Sequence, residues 1–236
     1  MNRDRVVGAL LIGLCIAIAG ISIGYGFYKG RASDRYVTVK GLAEREVKAD
    51  LAIWPISFTV AANDLGRLQI EIDSDREAIT EFLLSAGFGQ DEISYSAPHI
   101  IDTEAERRHG GGERAPYRYL AEATVTTRTG DVALVKASME SVGSLVGKGL
   151  VLADQSWRSP TEFLFTSLND IKPDMIEEAT KDARRAATKF AEDSQSKVGK
   201  IRHASQGYFS INDRDRNSPE FKKIRVVTSI QYYLVD

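Results

Sequence analysis

The chain has few of the side chains that bind metals or form covalent cross-links, with one cysteine, Cys15, and three histidines among 236 residues. A single cysteine excludes a disulfide within the chain, so the fold has to rest on its hydrophobic core. His99, His109 and His203 are far apart, and none has a second histidine or cysteine at metal-ligand spacing. The sequence therefore predicts no metal site.

An excess of charge of one sign is lacking as well. The chain has 31 basic and 33 acidic residues, a net charge of −2, and the two signs are mixed along its length. Nucleic-acid-binding domains carry a basic patch or stripe, and none appears here. We therefore expect no nucleic acid among the partners of this protein.

Catalytic and cofactor motifs are also missing. Gly143–Gly149 looks like a phosphate-binding loop, but no serine or threonine follows Lys148, and the segment follows a predicted helix instead of a strand. Asp213–Asn217 has the acidic spacing that opens a calcium loop, but Ser218 stands where that loop needs glycine and Ile224 where it needs glutamate. The sequence predicts no catalytic residue and no cofactor.

The N-terminus contains an uncharged run from Val6 to Tyr28. At about 1.5 Å per residue a helix of this length crosses the roughly 30 Å hydrocarbon layer of a bilayer. Basic residues flank both ends of the run, as at membrane interfaces. We predict a short tail over 1–5, a transmembrane signal-anchor helix over 6–28 in contact with the lipid bilayer, a linker over 29–35 and a folded domain over 36–236.

The anchor leaves three points to consider. Ala17-Ile18-Ala19 has the pattern of a signal peptidase site, so cleavage there stays an alternative. Gly20 and Gly24 form a small-residue pair at which two anchor helices could pack closely, although the pair could also face lipid. Two basic residues precede the anchor and six follow it by Lys48, which favours a cytoplasmic domain, but folded domains often cross a membrane regardless of such charges.

The domain alternates between a period of two and a period of 3.6. We predict an α+β fold in which two strands and a helix occur three times and two strands close the domain, giving a mostly antiparallel sheet with three helices on one face. The helices are predicted from Asp64 to Gly87, where Asp75 interrupts the apolar stripe, from Asp131 to Val146, and from Pro173 to Gly199. The strands are predicted at about 36–47, 51–61, 93–103, 117–128, 150–157, 162–166, 201–211 and 224–235.

Two of these strands carry apolar side chains on both faces. They are the strand over 51–61 and the last strand, and a solvated face would not favour this pattern. Burial between layers of one chain is one interpretation, and burial between subunits at open sheet edges is the other. Trp54, Tyr232 and Tyr233 are the candidate interface residues under the second interpretation.

The succession of short motifs from about Val37 to Val235 resembles the SIMPL domain family of exported bacterial envelope proteins. The segments that carry the resemblance are Val39-Lys40-Gly41-Leu42-Ala43, Val47-Lys48-Ala49-Asp50, Ile56-Ser57-Phe58-Thr59-Val60, Ala86-Gly87-Phe88, Asp91-Glu92-Ile93-Ser94, Tyr117-Arg118-Tyr119, Ala123-Thr124-Val125 and the helix over 179–199.

The resemblance implies an exported α+β domain that forms homo-oligomers and has a role in envelope stress tolerance, with no catalytic residues to transfer. With the anchor, it places the protein in a bacterial inner membrane with its C-terminal domain in the periplasm. The leading hypothesis is a non-enzymatic protein that binds copies of itself or other envelope proteins. The alternatives are a hydrolase-like enzyme whose site comes from scattered residues, and a periplasmic carrier of a small ligand.

Overall fold

The computed structural model describes residues 3–32, 35–110, 115–153 and 160–235. Helix α1 extends over Arg3–Ala32, so it includes the predicted anchor and continues into the predicted linker. Solvent exposure within this helix is described for Gly8 and for residues 12–26. Among the residues that are described, no helix has the length and apolar character that crossing a membrane requires. The anchor over 6–28 stays a prediction.

Strands and helices alternate through the rest of the chain. A single 3₁₀ turn, Gln90–Glu92, precedes the third strand. In chain order the elements are β1 Tyr36–Lys48, β2 Leu51–Ala62, α2 Leu65–Ala86, β3 Ile93–Tyr95, β4 His99–Asp102, α3 Thr103–Gly110, β5 Tyr119–Thr129, α4 Val132–Ser141, α5 Ser144–Gly147, β6 Val151–Leu152, β7 Glu162–Leu164, α6 Leu168–Asp193, β8 Lys197–Gln206, β9 Ser210–Asp213 and β10 Phe221–Val235.

The described strands form two sheets. One has the order β1-β10-β8, with β9 also on β10, and the other has the order β3-β5-β2-β6, with β4 on β5 and β7 on β2. The pairing is antiparallel wherever its register is described. It joins β2 to β5, β6 and β7, it joins β5 to β3 and β4, and it joins β8 to β10. The predicted antiparallel α+β class is confirmed. The expectation of a single sheet is wrong, because β1 and β2, which are adjacent in sequence, belong to different sheets.

The turn between β1 and β2 explains this separation. The Asp50 carboxylate accepts hydrogen bonds from Thr166 N (2.7 Å), Thr166 Oγ1 (3.0 Å) and Ser167 N (2.9 Å). The Asp50 N–H donates to Leu164 O, and the Ala49 N–H donates to Glu220 O. These bonds commit the turn to partners distant in sequence, so the chain does not fold back on itself as a hairpin.

The chain divides into two compact units. One consists of residues 1–44, 172–209 and 225–236, and the other of residues 45–171 and 210–224. In the second unit, β2 pairs with β5 along its length, and α2 packs on both strands. The predicted caps of α2 are confirmed, since Asp64 accepts from Arg67 N and Gly87 ends the helix at φ +109°. The α2 residues that enter the core are Leu68, Ile72, Ile79 and Leu83.

In the first unit, α6 packs on one face of its sheet. Ala183 and Ala187 contact Val39 of β1 and Ile230 and Tyr232 of β10 in a small core. Alanine lets the helix backbone come close to the strands, as the composition of this helix predicts.

Several predicted helix boundaries are wrong. The second predicted helix breaks at Gly143 into α4 and α5. The apolar spacing of one continuous helix predicts burial of Met139 and Val146, but Ser138 and Leu145 are buried instead. Proline at a helix start is common, but α6 begins before Pro173, at Leu168. Helix α6 ends at Asp193, after which Gln195 adopts the left-handed conformation (φ +53°).

Two other segments also differ from prediction. Gly199, predicted to close the third helix, lies within β8 beside an irregular register with β10, where a side chain would meet Tyr233 O at 3.1 Å. The glycine-rich segment between β4 and β5, which reads as a loop, begins with helix α3. The domain therefore has more helices than the three predicted. Trp157 of the predicted strand over 150–157 lies outside the described residues.

Candidate functional site

Strand β8 lies at the edge of its sheet, and most of its length is exposed on both faces. Within the described part of the chain it pairs with β10 and with no other strand. Every residue from Lys200 to Gln206 is exposed. Successive side chains point to opposite faces of a strand, so neither face of this stretch is covered by a described part of the chain. Antiparallel sheets commonly bury one face, which makes β8 unusual.

Apolar and aromatic side chains accompany this exposed strand. Ile201 is 49% exposed and Tyr208, which follows the strand, is 99% exposed. The guanidinium of Arg202 lies 4.0 Å from the ring centre of Tyr36 and 6.0 Å from that of Tyr233, within cation–π range. Residues 197–208 together with Tyr36 and Tyr233 are called the β8 edge below. An edge strand next to exposed apolar groups is a surface suited to association.

At the opposite edge of the same sheet, β1 is in contact with α6, which packs on one face of that sheet. The backbone N–H of Leu42 donates to Asp182 Oδ2 at 3.0 Å. At Gly41 a Cβ atom would lie 1.8 Å from the carbonyl oxygen of Ala179, so the helix and strand backbones are in direct contact there. One backbone donor of β1 is therefore already bound to the helix, which disfavours strand pairing at that point. At the β8 edge, by contrast, residues 200–206 are exposed.

The charges on β8 restrict what can pair with it. Lys197, Lys200 and Arg202 are basic, whereas Ala204 to Gln206 carry no charge. Two β8 strands paired in parallel and in register would place like charges opposite each other, which is unfavourable. The basic side chains favour a partner surface that offers carboxylates next to the start of β8.

The predicted interface residues occupy two kinds of position. Trp54 is 3% exposed and packs against Phe88, with ring centres 6.4 Å apart, and Tyr232 is 1% exposed against α6. Both belong to cores within the chain, which is the first of the two interpretations open from the sequence. Tyr233 is half-buried and lies at the β8 edge. Association of copies through this region stays a prediction.

The predicted helix-packing glycines, Gly20 and Gly24, lie in α1. A Cβ atom at either position would meet no other described atom within 4 Å. The small-residue face is therefore unoccupied by the described part of the chain, and packing of two α1 helices stays a prediction.

A cleft of about 420 Å³ lies beside α2 and contains the carboxyl groups of Glu71 and Asp75. Burial raises the pKa of Asp75 above its ordinary value, and the neighbouring Glu71 carboxylate adds to the rise. Glu71 itself accepts from Arg67 Nε at 2.8 Å. Ser74 and Tyr117 also line the cleft. The cleft thus holds one carboxyl group that is more easily protonated than usual.

The acidic loop that resembles the start of a calcium site is occupied by ion pairs. Asp213 accepts from Lys222, and Asp215 accepts from Arg214 Nε at 2.9 Å and from Asn217 N at 3.0 Å. Throughout the described ranges, no group of three histidine, cysteine or acidic residues is placed to hold a metal ion. His99 and His203 are exposed on β4 and β8.

Comparison with known proteins decides the family. The model of the SIMPL family, described as a protein of unknown function (DUF541), matches residues 37–229. The chain belongs to the SIMPL family. The predicted resemblance is confirmed over both sheets of this SIMPL protein. A search of curated proteins found no match.

Two sequence signals in the SIMPL protein point to the surfaces described above. Asp75 interrupts the apolar stripe of α2, and this interruption is what places a carboxyl group in the cleft. The run Lys200 to Gln206 lacks the alternation of a half-buried strand, and this is what an edge exposed on both faces looks like in sequence. The sequence did not indicate which of its strands would be uncovered, because that depends on sheet order.

Proposed function

We propose that this SIMPL protein is a membrane-tethered protein of the bacterial cell envelope that acts without catalysis, by binding copies of itself or other envelope proteins, in envelope stress tolerance. The observation that carries the binding function is the β8 edge. It combines a strand edge that no other described strand pairs with, two exposed faces and exposed aromatic groups. Its partner surface carries carboxylates, because Lys197, Lys200 and Arg202 of β8 are basic.

Assembly through the β8 edge is tested with a charge placed in its apolar part. Ile201→Lys adds a cation that an associated surface would have to desolvate, so we expect dissociation to a smaller species. The control is Val146→Lys, which also replaces an exposed aliphatic side chain by a cation. Val146 lies on α5 and is 56% exposed. The readout is the mass of the detergent-solubilised full-length protein by light scattering. Wild type and Val146→Lys should share one large mass, and an equal mass for Ile201→Lys would remove β8 from the interface.

Tethering is supported by the uncharged run of residues 6–28 within α1. The small-residue face at Gly20 and Gly24 would allow α1 helices of neighbouring copies to pack. A reporter that is active only outside the cytoplasm, fused after Asp236, should be active. An inactive fusion would mean that the basic residues after the anchor retain the domain in the cytoplasm.

The cleft at Asp75 favours a second candidate, a hydrolase. Burial raises the pKa of the Asp75 carboxyl group, which favours its protonated form as a general acid, and Ser74 and Tyr117 line the same cleft with their hydroxyl groups. Full-length protein would be assayed on chromogenic ester and phosphoester substrates together with Asp75→Asn. Turnover that Asp75→Asn abolishes would support this candidate, and turnover that is absent or unchanged in the variant would reject it.

A further inference from the structure

A groove of about 800 Å³ lies between α2 and β3 and shares no lining residue with the acidic cleft. One wall is the stretch of α2 from Arg76 to Ser85, and the other includes the ring of Tyr95. Two contacts fasten these walls together at one end. The Thr80 and Tyr95 hydroxyl groups lie 3.1 Å apart, and Arg76 Nη2 donates to Ser96 O at 2.7 Å. The groove is therefore preformed in the folded chain.

The strand beside this groove is an edge. Within the described residues, β3 pairs only with β5 and ends the six-stranded sheet on that side. The Ser96 N–H donates inward to Thr124 O at 3.0 Å. Alternate residues of an antiparallel strand direct their backbone groups to opposite sides, so the N–H and C=O of Tyr95 point away from β5. An extended chain lying here could pair with them.

The groove also has a definite chemical character. Leu84 on one wall is 42% exposed and Tyr95 on the other is 51% exposed, so each wall presents apolar surface to the groove. Glu77 and Glu81 line the same groove. Glu81 Oε2 lies 3.4 Å from Lys148 Nζ. In the described ranges, the Glu77 side chain forms no ion pair or hydrogen bond. An occupant with an apolar side chain and a nearby basic one would match these walls.

We propose that this groove binds an extended segment of another polypeptide, which adds a strand to β3. The segment places an apolar side chain against Leu84 and Tyr95 and a basic side chain near Glu77. Strand addition supplies affinity through main-chain hydrogen bonds, and the groove supplies specificity through alternate side chains. The groove has no lining residue in common with the β8 edge, so the two surfaces can be tested independently.

The test uses full-length protein in nanodiscs and a fluorescein-labelled peptide, Thr-Lys-Val-Leu-Val-Lys-Thr, measured by fluorescence anisotropy. We expect saturable binding to wild type. Leu84→Lys should weaken it by about tenfold or more, because it removes apolar contact area and adds a like charge. Glu77→Lys should weaken it by a smaller factor. Ile70→Lys, an exposed position on α2 that does not line the groove, should leave the affinity unchanged.

Two further peptides separate strand addition from other modes of binding. Replacing both lysines of the peptide by glutamate should abolish binding, because Glu77 and Glu81 then face like charges. Methylating alternate backbone nitrogens on the strand-pairing side should also abolish it, because those N–H groups can no longer reach β3. Unchanged affinity of the methylated peptide would mean an apolar-ligand site and overturn the proposal. No binding of the parent peptide at about 1 mM, a weak limit for a specific complex, would overturn it too.

Discussion

Strands β2 and β8 show opposite relations to the rest of the chain. In β2, every residue from Trp54 to Phe58 is buried, and neighbours pair on both sides, β5 on one and β6 and β7 on the other. In β8, every residue from Lys200 to Gln206 is exposed, and among the described strands only β10 pairs with it. A strand is buried on both faces only when other elements cover it. Other elements of the chain cover β2, and we propose that another molecule covers β8 in the same way.

The largest expected effect is a difference between the same substitution in the two strands. Ile56→Ala in β2 empties a site that is 1% exposed, and should lower the free energy of unfolding by about 2–5 kcal/mol. Ile201→Ala in β8 should lower it by less than about 0.5 kcal/mol, because the side chain is already half in solvent. Both would be measured by chemical denaturation at concentrations where copies have dissociated. Equal losses would mean that β8 is covered within the chain after all.

A smaller effect is expected at β1, where the backbone of the strand meets the backbone of α6. Gly41→Ala places a Cβ atom against the backbone of α6, so strand or helix has to shift, and we expect a loss of about 1–3 kcal/mol. Gly143→Ala is the matched control, because a Cβ there would meet no other described atom within 4 Å. If thermal denaturation gives the two variants the same stability, α6 does not hold the β1 edge as closely as described.

The smallest effect concerns the turn that starts β2. Burial raises the pKa of Asp50, but hydrogen bonds from Ser167 and Thr166 outweigh it, and the pKa lies below its ordinary value. A lowered pKa in the folded state stabilises the protein above the unfolded-state pKa of about 4, and this stability is lost as pH falls through the folded value. Asp50→Asn should therefore cost about 1–2 kcal/mol at pH 7. Denaturation repeated at lower pH should show the deficit shrinking below about pH 4, and a deficit independent of pH would contradict this role.

Local features were the most predictable from sequence. The bounds of β1 and β2 follow the predicted strands within one residue, and α2 has the predicted cap residues, because alternation, Asp64 and Gly87 act over a few residues. Proline within a strand is typical of a sheet edge or a bulge, so the sequence alone predicts one of these at Pro55. Pro55 lies in a central strand, between the residues that pair with β7 and those that pair with β6, where a missing N–H interrupts no described pairing.

Features that depend on distant partners were not predictable in the same way. The split into two sheets depends on Asp50 meeting Thr166 and Ser167, more than a hundred residues away. The apolar pattern of Trp54 and Tyr232 fitted a subunit interface as well as a core, because alternation reports burial and not the identity of the covering element. For the same reason the exposure of β8 could be recognised only once its place beside β10 was known.

Hydrogen exchange of the full-length protein tests the central claim most directly, because it reports the cover of β8 and β2 in one experiment. In assembled wild type, the β8 amides that point away from β10 should exchange slowly, and they should exchange fast in Ile201→Lys. The β2 amides should exchange slowly in both proteins, since their partners lie within the chain. Fast exchange of those β8 amides in wild type at every protein concentration would contradict the proposal that another molecule covers the β8 edge.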